Sequence, residues 1–203
     1  LIILLLALII FIFSGYLYNE KPYEFKKKPL LGLLCNLILG FLLLLSGFIH
    51  SINIDFDSFL EFVVLLFPYL LSFSAVCILA DIPDIRGDKE ECRNSFVINY
   101  GNYKSILLST LLVFCALILA VLLDDPLSST SIIASFPFFL YALLRGLNKD
   151  ILRAIRYPIA ILNLFSMVLY PYLFLGILFI FYLSKYYYWH RFNLHYPTML
   201  VND

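Results

Sequence analysis

Long apolar stretches separated by short polar ones dominate the chain. Runs near 1–18, 30–50, 58–80, 105–123, 130–145 and 157–183 carry almost no charge. A helix needs about 20 apolar residues to cross a bilayer, so the pattern predicts six spans. The last run holds Pro158 and Pro171. It is taken as one tilted or kinked helix, because dividing it leaves two pieces too short to cross. The run at 130–145 is short and contains Pro137, so its limits are the least defined. No internal repeat or low-complexity linker interrupts the series, and residues 1–203 read as a single transmembrane domain.

Composition supports this reading. Of 203 residues, 63% are hydrophobic and only 14% charged, against roughly 25% charged in soluble domains. The mean hydropathy is +0.94. A water-facing fold cannot bury that much apolar surface, so the fold class is an all-α, polytopic transmembrane helical bundle. Cys35, Cys77, Cys92 and Cys115 include no CxxC pair, and no disulfide or metal framework is implied. No basic stripe suited to nucleic acid, phosphate-binding glycine loop or nucleophilic triad is visible.

The net charge is zero, but its distribution is not even. Twelve of the 14 basic residues fall in segments 19–29, 81–104 and 145–156. The intervening connections "HSINIDFD" and "DDPLSS" contain none. This alternation obeys the positive-inside rule and puts the three basic segments on the cytoplasmic side. Lys185 and Arg191, in the aromatic tail "KYYYWHRFNLHYP", are the two exceptions.

One basic segment opens with acids. "ADIPDIRGDKE" places Asp81, Asp84 and Asp88 just where the chain leaves an apolar run. At i, i+3 and i+7 they would fall within about 60° on one helical face. Three like charges there repel, and the first two oppose the helix dipole. An acidic loop capping a helix end is the plain alternative. A divalent cation removes the conflict, because Mg²⁺ takes one or two carboxylates and completes its shell with water and phosphate oxygens. Arg86 and Lys89 would add charge-assisted contacts to that phosphate.

The wording around these acids resembles the UbiA-type intramembrane prenyltransferases. Asp81, Asp84, Gly87, Asp88, Lys89, Ser95 and Gly101 match the second aspartate-rich motif of that family and the strip after it. "LYNEKPYEFKKKPLLG" resembles an earlier cytoplasmic loop of the family through Tyr18, Pro22 and Lys26, and Asn36 matches a polar position in the following span. The resemblance implies about nine helices around a cavity open to lipid, of which about six lie here. It implies two Mg²⁺ ions bound to a polyprenyl diphosphate, and transfer of the prenyl group to a small-molecule or lipid acceptor. Asp81, Asp84 and Asp88 would be the catalytic metal ligands. Lys89, Arg86, Lys26 and Tyr18 would bind diphosphate. Asn36, Asn163 and Arg153 would face the substrate cavity. The "DIPDIRGD" wording leans toward aromatic acceptors. The first aspartate-rich motif of the family is absent, since nothing in residues 1–50 resembles it. The expectation is a fragment lacking three N-terminal helices. The alternative is a non-catalytic membrane protein of the same fold that binds a polyprenyl lipid or a partner.

Overall fold

Backbone inside a bilayer must satisfy its own hydrogen bonds, and a helix does so within one segment. The apolar runs accordingly form helices. The computed structural model describes residues 2–51 and 56–194. In chain order the helices are α1 (Ile2–Asn19), α2 (Pro29–Ser51), α3 (Phe56–Ala80), α4 (Ile85–Glu90), α5 (Phe96–Tyr100), α6 (Asn102–Leu122), α7 (Pro126–Arg145), α8 (Asn148–Leu169) and α9 (Leu173–Phe192). A 3₁₀ turn at Phe25–Lys27 joins α1 to α2. The middle of the connection "HSINIDFD" and the tail from residue 195 lie outside the described residues.

Among the described residues, five helices are long and apolar enough to cross a membrane: Pro29–Ile49, Asp57–Ala80, Asn102–Leu122, Pro126–Arg145 and Asn148–Leu169. A shorter apolar helix, Leu8–Asn19, lies within α1. Helices α3, α6, α7 and α8 pack in sequence as the centre of the bundle. Their contacts are built on small side chains, with Ala75, Ala116, Ala120, Ala142 and Ala154 fully buried beside Phe139, Leu79 and Val113. Small residues let helix backbones approach where no hydrophobic force pulls helices together in lipid. Ala116→Leu would force α6 away from its neighbours. It is expected to cost about 1–3 kcal/mol, read as a lower unfolding midpoint in detergent micelles.

The structure departs from the sequence pattern in three places. The run at 157–183 is not one helix. It divides at Pro171 into α8 and α9, each 20 residues or longer. Both pieces are full helices because α8 does not begin near 157. It begins at Asn148 and draws Arg153 and Arg156 into its first turns. Pro158 stays inside α8, while Tyr170 leaves helical geometry at φ −128° and ψ 78°, as the residue before a proline tends to.

The aspartates differ too. They do not share one helix. α3 ends at Ala80, residues 81–84 form a turn, and Asp84 is the N-cap of α4. Pro83 has no N–H and disfavours helical geometry at Ile82, whose own N–H reaches back only three residues, to Leu79 O, at 3.0 Å. The loosely defined run at 130–145 starts earlier, at Pro126. Asp125 caps it by accepting from the Leu127 N–H at 3.1 Å, an arrangement suited to proline in the first turn.

Candidate functional site

The turn after α3 brings Asp81 and Asp88 back together around a residue that the charge pattern marks only as a loop cation. Arg93 follows α4. Its Nη1 lies 3.2 Å from Asp88 Oδ1, and its Nη2 lies 3.4 Å from Asp81 Oδ1. Its Nε donates to the backbone oxygen of Lys26 at 2.9 Å, and Nη2 reaches the Tyr18 hydroxyl at 3.5 Å. The neighbouring Asn94 N–H donates to Lys27 O at 3.3 Å. The segment 92–94 thus ties the aspartate turn to the 3₁₀ turn and to the end of α1. Two segments predicted to share one side of the membrane are joined by this contact.

A small cavity of about 30 Å³ sits at the junction, lined among others by Lys26, Asn36, Asp81, Arg93 and Ser95. Lys26 and Lys28 both line it, and Lys27 does not. Lys27 pairs with Glu24 at 3.0 Å, and Lys28 lies over the Phe25 ring at 5.7 Å. Gly32 lets α2 approach closely, because an added Cβ would sit 3.3 Å from Phe25 O and 3.8 Å from Tyr18 Cε2.

The site is electrostatically unfinished. Asp88 is buried, and its Oδ2 has no hydrogen-bond partner; nor does the buried Oγ of Ser95. Burial pushes the Asp81 carboxyl up to about 6. Arg93 and a backbone hydrogen bond from Phe96 pull it down, while Asp88 and Asp84 push it further up. A raised carboxyl stabilises the fold when protonated, below its unfolded value. That contribution is lost as pH rises toward 6. Asp81→Asn is therefore expected to raise the unfolding midpoint of metal-free protein at pH 7.5. The gain should vanish by pH 4, and a gain that persisted there would contradict this account.

The remaining sequence-predicted residues scatter. Asp84, Arg86 and Lys89 are exposed on the turn and α4. Arg86 borders a second, open cavity of about 540 Å³ with Asn102, Asn148 and Ile151. Asn163 is exposed and spends its amide on Ile159 O, one helical turn back, at 2.9 Å. Arg153 pairs with the fully buried Asp150 at 3.1 Å, and Arg145 pairs with the same carboxylate at 3.2 Å. Asp150 and Arg153 border a separate cavity with Phe138, Arg145 and Tyr157. Arg153 and Asn163 therefore stand apart from the aspartate cluster.

Toward the middle of the bundle lies an apolar cavity of about 360 Å³ between α2, α3, α6, α7 and α8. Gly40, Phe73, Val76, Val113, Phe139 and Leu162 are among its walls. On α3, Phe73 lines it and Cys77, one turn on, lines the small cavity; on α2, Gly40 and Asn36 are related in the same way. Ser72 and Ser131 also line this cavity, and their hydroxyls have no partner.

Among the described residues, no three Asp, Glu, His or Cys side chains converge as a ready metal site. Two carboxylates do converge on one cation, Arg93, and one of them keeps an unpartnered buried oxygen. Mg²⁺ asks for one or two carboxylates with phosphate and water completing its shell, so this donor set fits the ion. Asp84 stands outside the pair.

Comparison with known proteins bears on the same segments. The profile of the UbiA prenyltransferase family matches residues 1–164. Digeranylgeranylglyceryl phosphate synthase of Methanosphaera stadtmanae is 33% identical over 101 residues, which is 50% of this chain and 35% of that protein. The match therefore spans about a third of the relative's length. No solved structure matches the chain.

Proposed function

The chain belongs to the UbiA prenyltransferase family, and from that premise we propose that it transfers a prenyl group from a polyprenyl diphosphate to an acceptor within the membrane. The observation that carries this reading is the stacking of two environments. A cluster of carboxylates and cations, Asp81, Asp88, Arg93 and Lys26, gathers at the small polar cavity, one helical turn along α2 and α3 from an apolar cavity between the helices. An amphipathic donor, a diphosphate on a prenyl chain, fits both at once.

Asp81 and Asp88 would hold Mg²⁺, with Asp84 at the exposed rim. Bound there, the ion supplies positive charge that helps the diphosphate depart. Lys26 and Arg93 offer N–H donors to phosphate oxygens from the same small cavity. Arg86 and Lys89 add positive charge outside it. The apolar walls hold the prenyl chain and exclude water, so that the acceptor rather than water captures the reacting carbon. The C1–O bond breaks with its electron pair leaving on the diphosphate. The acceptor's nucleophilic atom bonds to C1 and gives up its proton.

Two acceptor classes follow. The wording of the aspartate segment favours an aromatic ring. The name of the Methanosphaera relative favours a glyceryl phosphate lipid. The charge pattern supports a cytoplasmic aspartate segment, and the break at Pro171 strengthens it. If α9 turns back across the membrane, Lys185 and Arg191 rejoin the side of the other twelve basic residues.

The test is product formation in proteoliposomes given labelled polyprenyl diphosphate, either acceptor, and Mg²⁺ or a chelator. Labelled product and released diphosphate are expected with Mg²⁺ alone. Tight donor binding with neither product nor diphosphate release would favour the non-catalytic lipid-binding alternative. An Asp84→Asn protein with unchanged rate and Mg²⁺ dependence would remove Asp84 from the site.

A further inference from the structure

We propose that Arg93 is an internal counter-cation that holds Asp81 and Asp88 before metal binds, then pivots onto the diphosphate when a divalent ion takes its place. The inference rests on the reading of the two aspartates as a metal and diphosphate site.

The contacts of the guanidinium fall into two kinds. Nε bonds to Lys26 O at 2.9 Å, a short and ordinary hydrogen bond. The two terminal nitrogens reach Asp88 and Asp81 at 3.2 and 3.4 Å, longer than the roughly 2.7–2.9 Å of strong charge-assisted bonds. The inner nitrogen is therefore anchored, while the outer two are held loosely. That is the geometry of a pivot. Five N–H donors in a rigid planar fork suit the exchange of one pair of oxygens for another.

Charge points the same way. One guanidinium faces two carboxylates and leaves Asp88 Oδ2 buried without a partner. A buried acceptor left unmade is costly. An ion of charge +2 meets the demand of both carboxylates, and Arg93 cannot. Once the carboxylates turn to the ion, the outer nitrogens keep only the long 3.5 Å contact of Nη2 with the Tyr18 hydroxyl and face the small cavity shared with Lys26 and Ser95. A phosphate oxygen there would replace the carboxylate oxygens they released.

Two measurements decide it. The first is Mn²⁺ binding to the purified protein, followed by paramagnetic resonance, with and without inorganic pyrophosphate. Arg93→Gln is expected to bind Mn²⁺ about tenfold tighter without pyrophosphate, yet to bind pyrophosphate in the presence of Mn²⁺ about tenfold more weakly. The opposite signs are diagnostic, because a residue that merely braces the loops would weaken both. Loss of both affinities, or no change in Mn²⁺ affinity, overturns the exchange.

The second measurement needs no metal. Arg93→Gln should lower the unfolding midpoint at least about twice as far in the native background as in an Asp81→Asn/Asp88→Asn background, since only the former contains the charges it neutralises. Equal losses would overturn the counter-cation role. Wild-type protein that binds no Mn²⁺ even with pyrophosphate would sink the metal reading and the exchange with it. The midpoint comparison would still decide separately whether Arg93 neutralises the aspartates.

Discussion

Asp88→Asn is expected to lower prenyl transfer by about 10²–10³-fold, with the protein still folded and inserted. The substitution keeps the shape of the side chain and one oxygen within reach of Arg93. It removes the charge and changes the buried Oδ2, the atom that has no partner in the protein. Asp88 is only 6% exposed, so solvent cannot supply what the carboxylate lost. The loss should appear in kcat, because neutralising the departing diphosphate matters most as its charge develops. Single-turnover transfer in proteoliposomes, beside a midpoint measurement for folding, separates loss of chemistry from loss of structure. A folded Asp88→Asn protein within about threefold of the native rate would be incompatible with the site described above.

The second large effect concerns the apolar cavity. Ser131 lies on α7 facing the cavity of about 360 Å³, with its hydroxyl unpartnered. Ser131→Phe places a benzyl ring in that space. Donors with long prenyl chains should lose about 10–100-fold in kcat/KM, whereas a short donor that ends before Ser131 should be little changed. The comparison is internal, so a general loss of folded protein would lower both donors together. A uniform loss across chain lengths would mean that the prenyl chain lies elsewhere. An unchanged profile would mean that the ring has turned toward lipid.

Helical class and membrane setting followed from the sequence because their causes are local and compositional. Runs of about 20 apolar residues can bury their backbone polarity only as helices in lipid, and five helices meet that requirement among the described residues. The boundary near Pro171 was not legible. Periodicity is silent inside an all-apolar run, and the basic first turn of α8 disguised its length. The aspartates stood out as candidates because three like charges beside an apolar run repel one another. Their arrangement was not legible. Spacing alone suggested one helical face, whereas Pro83 ended the helix and left Asp84 apart from the other two.

Arg93 shows the same division. In the sequence it was one basic residue among twelve in the basic segments, and the positive-inside rule accounted for it. The contact that matters joins residues 67 apart in the chain, Arg93 and Lys26. No pattern within either segment records it. The sequence by itself determined which stretches are apolar enough to enter the membrane and that acids and bases gather in the segments between them. Only the tertiary structure decided which two aspartates face each other, which cation stands between them and which apolar cavity opens beside them. Composition and spacing act along the chain, but a shared cation and a common cavity depend on how separate helices pack.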